Sequence, residues 1–123
     1  MEGLLHEDLT YKIRGCAYEV ARHLGLGFLE KVYERALVHE LCSQGIRAQA
    51  QIAIPVRYKG ALVGDYYADI LVENRVVVEI KATRSHLPEH QAQLLNYLRA
   101  TGLRIGLLIN FGQPRLMIKR VIW

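Results

Sequence analysis

The feature that most constrains this chain is the segment of residues 65–81, in which two apolar runs flank a polar turn. If the turn is centred on Asn74, a β-hairpin brings the apolar side chains of both runs to one face. The residues of that face are Ile70, Val72, Val76, Val78 and Ile80. This register follows from the hydrophobic pattern alone, and it predicts that Asp69 lies opposite Glu79 on the other face.

The second face of this hairpin places two carboxylates side by side. Directly opposed residues of an antiparallel pair have Cβ atoms about 4.5–5.5 Å apart, where like charges are destabilising. Without a compensating cation, the pKa of one of the two carboxyls, Asp69 or Glu79, would be raised. Mg²⁺ or Mn²⁺ would compensate, because hard divalent cations prefer oxygen ligands. Lys81, one step along this face and opposite Tyr67, adds a further positive charge.

A simpler interpretation makes Glu79 and Lys81 a solvent-facing pair on an exposed sheet face. The valines at positions 76–78 weaken it, because such a run predicts a central strand buried on both sides. A Glu and a Lys at the end of a buried strand are costly unless they have a function.

Apolar periodicity and turn residues predict the remaining elements. Helices are expected at residues 7–23, 29–44 and 88–101, and strands at 48–58, 61–72, 76–81, 103–111 and 115–122. Pro55 indicates that the first strand is an edge strand or contains a bulge. The order α-α-β-β-β-α-β-β includes a β-α-β unit, which favours a parallel crossover within a mixed β-sheet flanked by helices, an α/β fold.

Length and composition limit the class of protein. With 51% hydrophobic and 23% charged residues, residues 1–123 are expected to form one globular domain. No apolar run approaches the roughly 20 residues of a membrane span, and no secretory signal is visible. We therefore expect a cytoplasmic protein without membrane contact, in which Cys16 and Cys42 are reduced, buried thiols.

The net charge of +4 is distributed unevenly along the chain. Residues 1–83 hold ten Lys and Arg against eleven Asp and Glu, whereas residues 84–123 hold six cations against Glu89 alone. A basic C-terminal third beside an acidic cluster suits a polyanion held over a metal site. Ordinary surface charge explains the same counts equally well.

Two helices provide candidate supporting residues. Gly27, Glu30 and Tyr33 lie at spacings of three and would share a helix face, where Gly27 would allow a close backbone approach. The helix dipole alone explains Glu30, which could instead be a third carboxylate at the metal site. Gln93 and Tyr97, at i and i+4, could hold a water, a phosphate oxygen or a base, or be a surface Gln and a half-buried Tyr.

These motifs resemble those of a known superfamily. Asp69, followed after nine residues by Glu79-Ile80-Lys81, resembles the D-x(n)-E-x-K signature of the PD-(D/E)xK nucleases, which have a restriction-endonuclease-like core. Residues 93–97 are similar to the Q-x-x-x-Y element of the RecB-like branch. Residues 27–33 resemble the pattern of the GxxExxY protein family, to which residues 89–98 and 107–112 are also similar. The resemblance extends over nearly the whole chain.

The resemblance implies a role for each matching residue. Asp69 and Glu79 would bind the metal, with the Ile80 carbonyl as a further ligand. Lys81 would orient or activate the attacking water, or stabilise the pentavalent phosphate. Glu30 matches the acid that the superfamily often has on its first core helix. The residues that would support the site are Gly27, Tyr33, Gln93 and Tyr97.

The expected function is therefore a nuclease that depends on Mg²⁺ or Mn²⁺ and acts on nucleic acid, DNA more than RNA. A non-catalytic nucleic-acid-binding or assembly module with the same fold remains open, although the intact Asp69, Glu79 and Lys81 argue against a decayed site. A hydrolase of a small phosphorylated substrate also remains open, although a basic surface favours a polymer. So short a chain leaves room for a homodimer or a protein partner.

Overall fold

The computed structural model describes residues 6–85 and 88–123. Its helices are α1 (Glu7–Leu24), α2 (Glu30–Ser43) and α3 (Pro88–Thr101). Its strands are β1 (Ala48–Tyr58), β2 (Ala61–Val72), β3 (Val76–Lys81), β4 (Ile105–Asn110) and β5 (Met117–Ile122). The predicted order is confirmed, and the three strands that precede α3 have the predicted bounds.

Within these ranges the strands form one mixed sheet in the order β1-β2-β3-β4-β5. β3 and β4 are parallel and are connected through α3, which confirms the predicted parallel crossover. The other neighbouring strands are antiparallel. Val76 to Ile80 of β3 and all of β4 are buried, as expected for central strands covered on both faces.

Helices cover both faces of the sheet. α1 and α2 pack on one face, where they meet the apolar face that the hairpin register predicts. Its members are Ile70, Val72, Val76, Val78 and Ile80. α3 packs on the opposite face, where Leu94 and Leu98 join Val77 and Leu108 in a second cluster. The mixed α/β architecture is therefore confirmed.

β1 lies at the edge of the sheet, where Pro55 needs no hydrogen bond to a further strand. Its register with β2 also shifts between Val56 and Arg57, so both predicted explanations of Pro55 apply. β2 pairs with β1 from Ala61 onward but with β3 only from Ile70. Residues 52–58 of β1 and 61–68 of β2 therefore pair only with each other, and they extend beyond β3 as a two-stranded β1–β2 arm.

Two further expectations have different outcomes. Cys16 is buried, but Cys42 is exposed, so its predicted burial is wrong. The reason is that α2 turns its neighbour Leu41 into the core at this level of the helix. No helix in residues 6–85 or 88–123 has the length and apolarity that crossing a bilayer requires.

Candidate metal centre

The candidate site lies where β2 and β3 separate. Their backbone pairing follows the predicted register and ends at Ile70 and Val78. Beyond that pair, carboxylates take the place of backbone partners. The Asp69 N–H donates to Glu79 Oε1 at 3.0 Å, and the Ile80 N–H donates to Asp69 Oδ2 at 2.7 Å. The two acids are therefore adjacent, as the hairpin register predicts.

Glu79 is the acid that this proximity affects most. Its side chain is 4% exposed, and burial, followed by the negative charge of Asp69, raises the pKa of Glu79 to about 8. The Asp69 N–H and the positive charge of Lys81 lower the pKa of Glu79 without offsetting the rise. At neutral pH the metal-free pair therefore holds a proton that a cation would displace.

The oxygens at this site form a donor set that fits a hard divalent cation. A backbone N–H holds one oxygen of each carboxylate, so the second oxygen of each can face an ion. Successive residues of a strand direct their backbone groups to opposite neighbours. The Ile80 N–H points to Asp69 and the Lys81 carbonyl accepts from Phe111, so the Ile80 carbonyl is directed toward the β2 side. Mg²⁺ and Mn²⁺ accept such ligands.

Lys81 is the last residue of β3 and is half-buried. Its backbone is fixed on the β4 side, where it pairs with Asn110 and its carbonyl accepts the Phe111 N–H at 2.8 Å. Its ammonium is close enough to lower the pKa of Glu79, yet it forms no ion pair among the described residues. The charge therefore remains available to a substrate.

The predicted placement of Tyr67 opposite Lys81 is wrong. The β2–β3 ladder ends before it reaches them, and Tyr67 instead pairs with Ala53 of β1. Tyr66 is the aromatic residue of β2 on the site's side of the sheet, with its ring centroid 6.0 Å from that of Tyr97. No sequence pattern had indicated Tyr66.

Gln93 and Tyr97 share one face of α3, as their spacing predicts, and this face is turned toward the two acids. Gln93 Nε2 donates to the Tyr97 hydroxyl at 2.7 Å. Tyr97 is 6% exposed, and its burial, followed by the negative charges of Glu79 and Asp69, raises its pKa. The structure therefore places this pair beside the carboxylates.

Glu30 lies apart from this group. It is the exposed first residue of α2, and the side-chain charges that act on Glu79 are those of Asp69 and Lys81. Within the described part of the chain, no three acidic, His or Cys side chains converge on a common point that could hold a metal. A ligand role for Glu30 stays a prediction.

Gly27 and Tyr33 build the connection between α1 and α2. The buried Tyr33 hydroxyl donates to the Gly25 carbonyl at 2.6 Å and accepts the Phe28 N–H at 3.3 Å, while its ring stacks on Phe111. Gly27 precedes α2, so the predicted shared helix face is wrong. A Cβ on Gly27 would meet nothing within 4 Å, so the predicted close approach is also wrong; its φ of 103° explains the glycine.

A second acid on α2 was not indicated by the sequence pattern. Glu34 is 3% exposed, and its carboxylate accepts hydrogen bonds from Lys31 at 3.2 Å and Gln51 at 2.7 Å. Gln51 lies between the β1–β2 pairs Ala50–Ile70 and Ile52–Ala68, at the level of Asp69, and has a left-handed φ of 56°. Glu34 precedes the buried Leu37 by three residues, so a carboxylate within the apolar stripe was the available signal.

A groove of about 1110 Å³ lies between the β1–β2 arm and α3, and Gln93 and Tyr97 are among the residues that line it. Arg57 and Tyr66 line it from the arm, and Gln93, Tyr97 and Arg99 line it from α3. A second cleft beside α3 is lined partly by Lys119 and Arg120. Three of the six cations in the basic C-terminal third therefore lie around α3.

This architecture defines a class of protein. A mixed sheet with helices on both faces, and an Asp, a Glu and a Lys where two adjacent strands separate, is the restriction-endonuclease-like arrangement. A family model of the PD-(D/E)XK nuclease superfamily matches residues 7–121, and the chain belongs to that superfamily.

Comparison with solved structures supports the same fold. The crystal structure of SSO0001 superimposes with a TM-score of 0.56 and 21% sequence identity, covering 75% of this chain and 48% of that chain. This chain therefore spans about half the length of that protein, and the likeness concerns the fold alone. No curated protein matches the sequence.

Proposed function

We propose that this protein is a divalent-metal-dependent nuclease that hydrolyses phosphodiester bonds in nucleic acid, with Mg²⁺ or Mn²⁺ as cofactor and DNA favoured over RNA. One observation supports this most strongly. Glu79 is buried and Asp69 is half-buried beside it, each carboxylate accepting a hydrogen bond from the opposite strand, and burial, followed by repulsion from the Asp69 charge, raises the pKa of Glu79 to about 8. A cation would relieve this repulsion, and membership of a nuclease superfamily indicates its use.

Each residue of the site would have a different role in the reaction. Asp69, Glu79 and the Ile80 carbonyl would hold the cation. Bound there, the cation would polarise a phosphate oxygen and lower the pKa of a water. Lys81, which has no ion pair among the described residues, would orient the attacking water or stabilise the negative charge that develops on the phosphate. Tyr97 would limit access of bulk water from the α3 side.

Of the acids on α2, we favour Glu34 over Glu30 as the further acid of the site. Glu34 is buried and accepts a hydrogen bond from Gln51, which lies on β1 between the residues paired with Ile70 and Ala68. The carboxylate would act through Gln51 or through waters around the cation, since no direct three-acid group is present in the described ranges. Glu30 is the alternative that the sequence motif suggests.

Membership of the GxxExxY family within the superfamily is part of this proposal. Gly27 and Tyr33 each have a structural reason for their identity, a positive φ and a buried hydroxyl that fixes the α1–α2 connection. This motif would therefore maintain the position of α2 over the sheet. A homodimer or protein partner, and a cytoplasmic location, remain predictions of the same proposal.

A cleavage assay tests the proposal. The wild type should cut DNA with Mg²⁺ or Mn²⁺ and stop in EDTA, with RNA as the second substrate. Asp69→Asn and Lys81→Ala should each lower the rate about 100-fold or more, because they remove charge at the reacting phosphate. Asp65→Asn and Lys59→Ala, which change an exposed acid and an exposed lysine of the arm, serve as matched controls.

Two outcomes would count against a nuclease. Equal cleavage by the wild type and both site variants would assign the activity to another source. Salt-sensitive DNA binding without cleavage, indifferent to Mg²⁺ and to Lys81→Ala, would instead support the non-catalytic nucleic-acid-binding module.

A further inference from the structure

The groove between the β1–β2 arm and α3 combines an apolar, aromatic lining with a few cations. Its apolar members are Pro55, Val56, Tyr66, Ala92, Tyr97 and Ala100. Arg57 on the arm and Arg99 on α3 are both exposed, and the acid Glu89 also lines the groove. A surface that binds only the phosphates of a duplex needs cations and gains nothing from aromatic rings.

Tyr66 is held in a fixed position within this groove. Gly64, two residues earlier on β2, leaves the space that the ring occupies, since a Cβ there would lie 2.9 Å from Tyr66 Cε2. The ring also contacts Tyr97 at 6.0 Å between centroids, yet Tyr66 remains 49% exposed. A large aromatic side chain that is both fixed and half-exposed is suited to stacking with a ligand.

Tyr97 connects the groove with the two acids. It contacts Tyr66 on one side, and its pKa is raised partly by the charges of Glu79 and Asp69 on the other. A chain lying along the groove would therefore contact Tyr97, the residue through which the groove adjoins the candidate metal centre. The groove, at about 1110 Å³, exceeds the roughly 300–1,000 Å³ of pockets for small ligands, which favours a polymer.

We propose that this groove binds unpaired nucleotides, with one base stacked on Tyr66 and the phosphates near Arg57 and Arg99. This inference rests on the proposed function, because it identifies the substrate of that site as single-stranded nucleic acid. Aromatic rings bind bases only where those bases are free of a partner strand, since a duplex turns its bases inward. The two arginines, on opposite walls, match the need for cations along a single backbone.

Binding without cleavage tests this inference. The probe is a fluorescent single-stranded DNA of about 12 nucleotides, measured by anisotropy with the full chain in EDTA, beside the same sequence as a duplex. We expect the single strand to bind at least about tenfold more tightly than the duplex. Tyr66→Ala should weaken single-strand binding about 5- to 150-fold, the range for loss of one base–aromatic stack. Tyr66→Phe should bind as the wild type does, because stacking needs the ring and not the hydroxyl.

Tyr67 offers a matched control, since it is the next residue of β2, is 52% exposed and points to the other face. Tyr67→Ala should leave binding unchanged. Arg57→Gln and Arg99→Gln should each reduce the slope of log K against log[salt] by about 0.7, whereas Arg35→Gln on α2, across the sheet, should not. Thermal unfolding of each variant establishes that it is folded.

The outcomes separate this inference from the proposed nuclease activity. Tight duplex binding, or equal effects of Tyr66→Ala and Tyr67→Ala, would overturn the single-strand assignment even if the protein cuts DNA. Binding of the single strand that depends on Tyr66, in a protein that cuts nothing with Mg²⁺ or Mn²⁺, would support the groove assignment and overturn the nuclease proposal.

Discussion

Asp69 donates its backbone N–H to the Glu79 carboxylate at 3.0 Å, at the position where the β2–β3 ladder would otherwise continue. The ladder therefore ends because a side chain has taken the place of a backbone acceptor. This exchange opens the sheet at one point and holds two acids together there. It also explains how the Ile80 N–H comes to be satisfied by Asp69 rather than by a β2 carbonyl.

The stability of the metal-free protein should depend on this pair and on pH. The pKa of Glu79 is raised from 4.5 to about 8 in the folded state, so the folded chain binds more protons than the unfolded chain between these values. Glu79 therefore contributes stability at low pH that is lost as the pH rises toward about 8. The thermal midpoint in EDTA should fall over this window through Glu79, and Mg²⁺ should restore it at the alkaline end.

Glu79→Gln tests this expectation, because a neutral amide cannot titrate. Thermal unfolding at several pH values in EDTA should show a flatter pH dependence in Glu79→Gln than in the wild type, and no gain from Mg²⁺. Asp65→Asn, at an exposed site on the same hairpin, should retain the wild-type profile. Identical profiles for wild type and Glu79→Gln would mean that this acid is not coupled to folding.

The sequence was sufficient to predict the hairpin and its acids for a definable reason. In residues 70–80, every second side chain outside the turn is apolar and packs against α1 and α2. A shift of the strand pairing by one residue would therefore move this whole apolar face out of the core. Only one register satisfies that pattern around Asn74. The proximity of Asp69 and Glu79 then follows from the register without any further information.

Tyr66 could not be found in this way, because the alternation of β2 changes at Asp69. Ala68 packs in the α3-side cluster, whereas Ile70 packs in the α1–α2 core, although they are two residues apart. The change occurs at the level of Gln51, whose φ of 56° is left-handed. If strict alternation along β2 is assumed to continue through Asp69, Tyr67 is assigned to the face of the site. In the structure, Tyr66 is the residue on that face.

Glu34 and Glu30 of α2 give a second prediction. Glu34→Gln should lower cleavage and weaken Mn²⁺ binding, because the buried carboxylate that is hydrogen-bonded to Gln51 of β1 loses its charge. Glu30→Gln should change neither, because Glu30 is exposed at the first position of α2. Mn²⁺ titration and cleavage rates measure both. A larger effect of Glu30→Gln than of Glu34→Gln on Mn²⁺ binding and cleavage would instead assign the role of the further metal-site acid to Glu30.

Tyr33→Phe should destabilise the fold without affecting chemistry. Removing the hydroxyl leaves the Gly25 carbonyl without its 2.6 Å donor, at a cost of about 1–3 kcal/mol in the free energy of unfolding. Denaturant unfolding measures that loss. Cleavage by the folded fraction should match that of the wild type. A loss of activity at unchanged stability would instead place the Tyr33 hydroxyl in the reaction.

Gly112 should be intolerant of a side chain. A Cβ there would clash with the Thr83 backbone, in the loop that follows Lys81, and the Asn110 side chain accepts hydrogen bonds from the Thr83 and Gly112 N–H groups. Gly112→Ala should therefore cost about 1–3 kcal/mol or more in the free energy of unfolding. Gly15→Ala on α1, where nothing lies within 4 Å, should be neutral or stabilising by up to about 1 kcal/mol. Equal changes in the free energy of unfolding for Gly112→Ala and Gly15→Ala would show that the loops containing Thr83 and Gly112 move to accommodate the added Cβ.

A crystal structure with Mn²⁺, using anomalous scattering to locate the ion, tests the central claim most directly. The account predicts one strong anomalous peak between the Asp69 and Glu79 carboxylates, beside the Ile80 carbonyl, and its absence in Glu79→Gln crystals. A wild-type structure soaked in Mn²⁺ that shows no anomalous peak between these two carboxylates would contradict it.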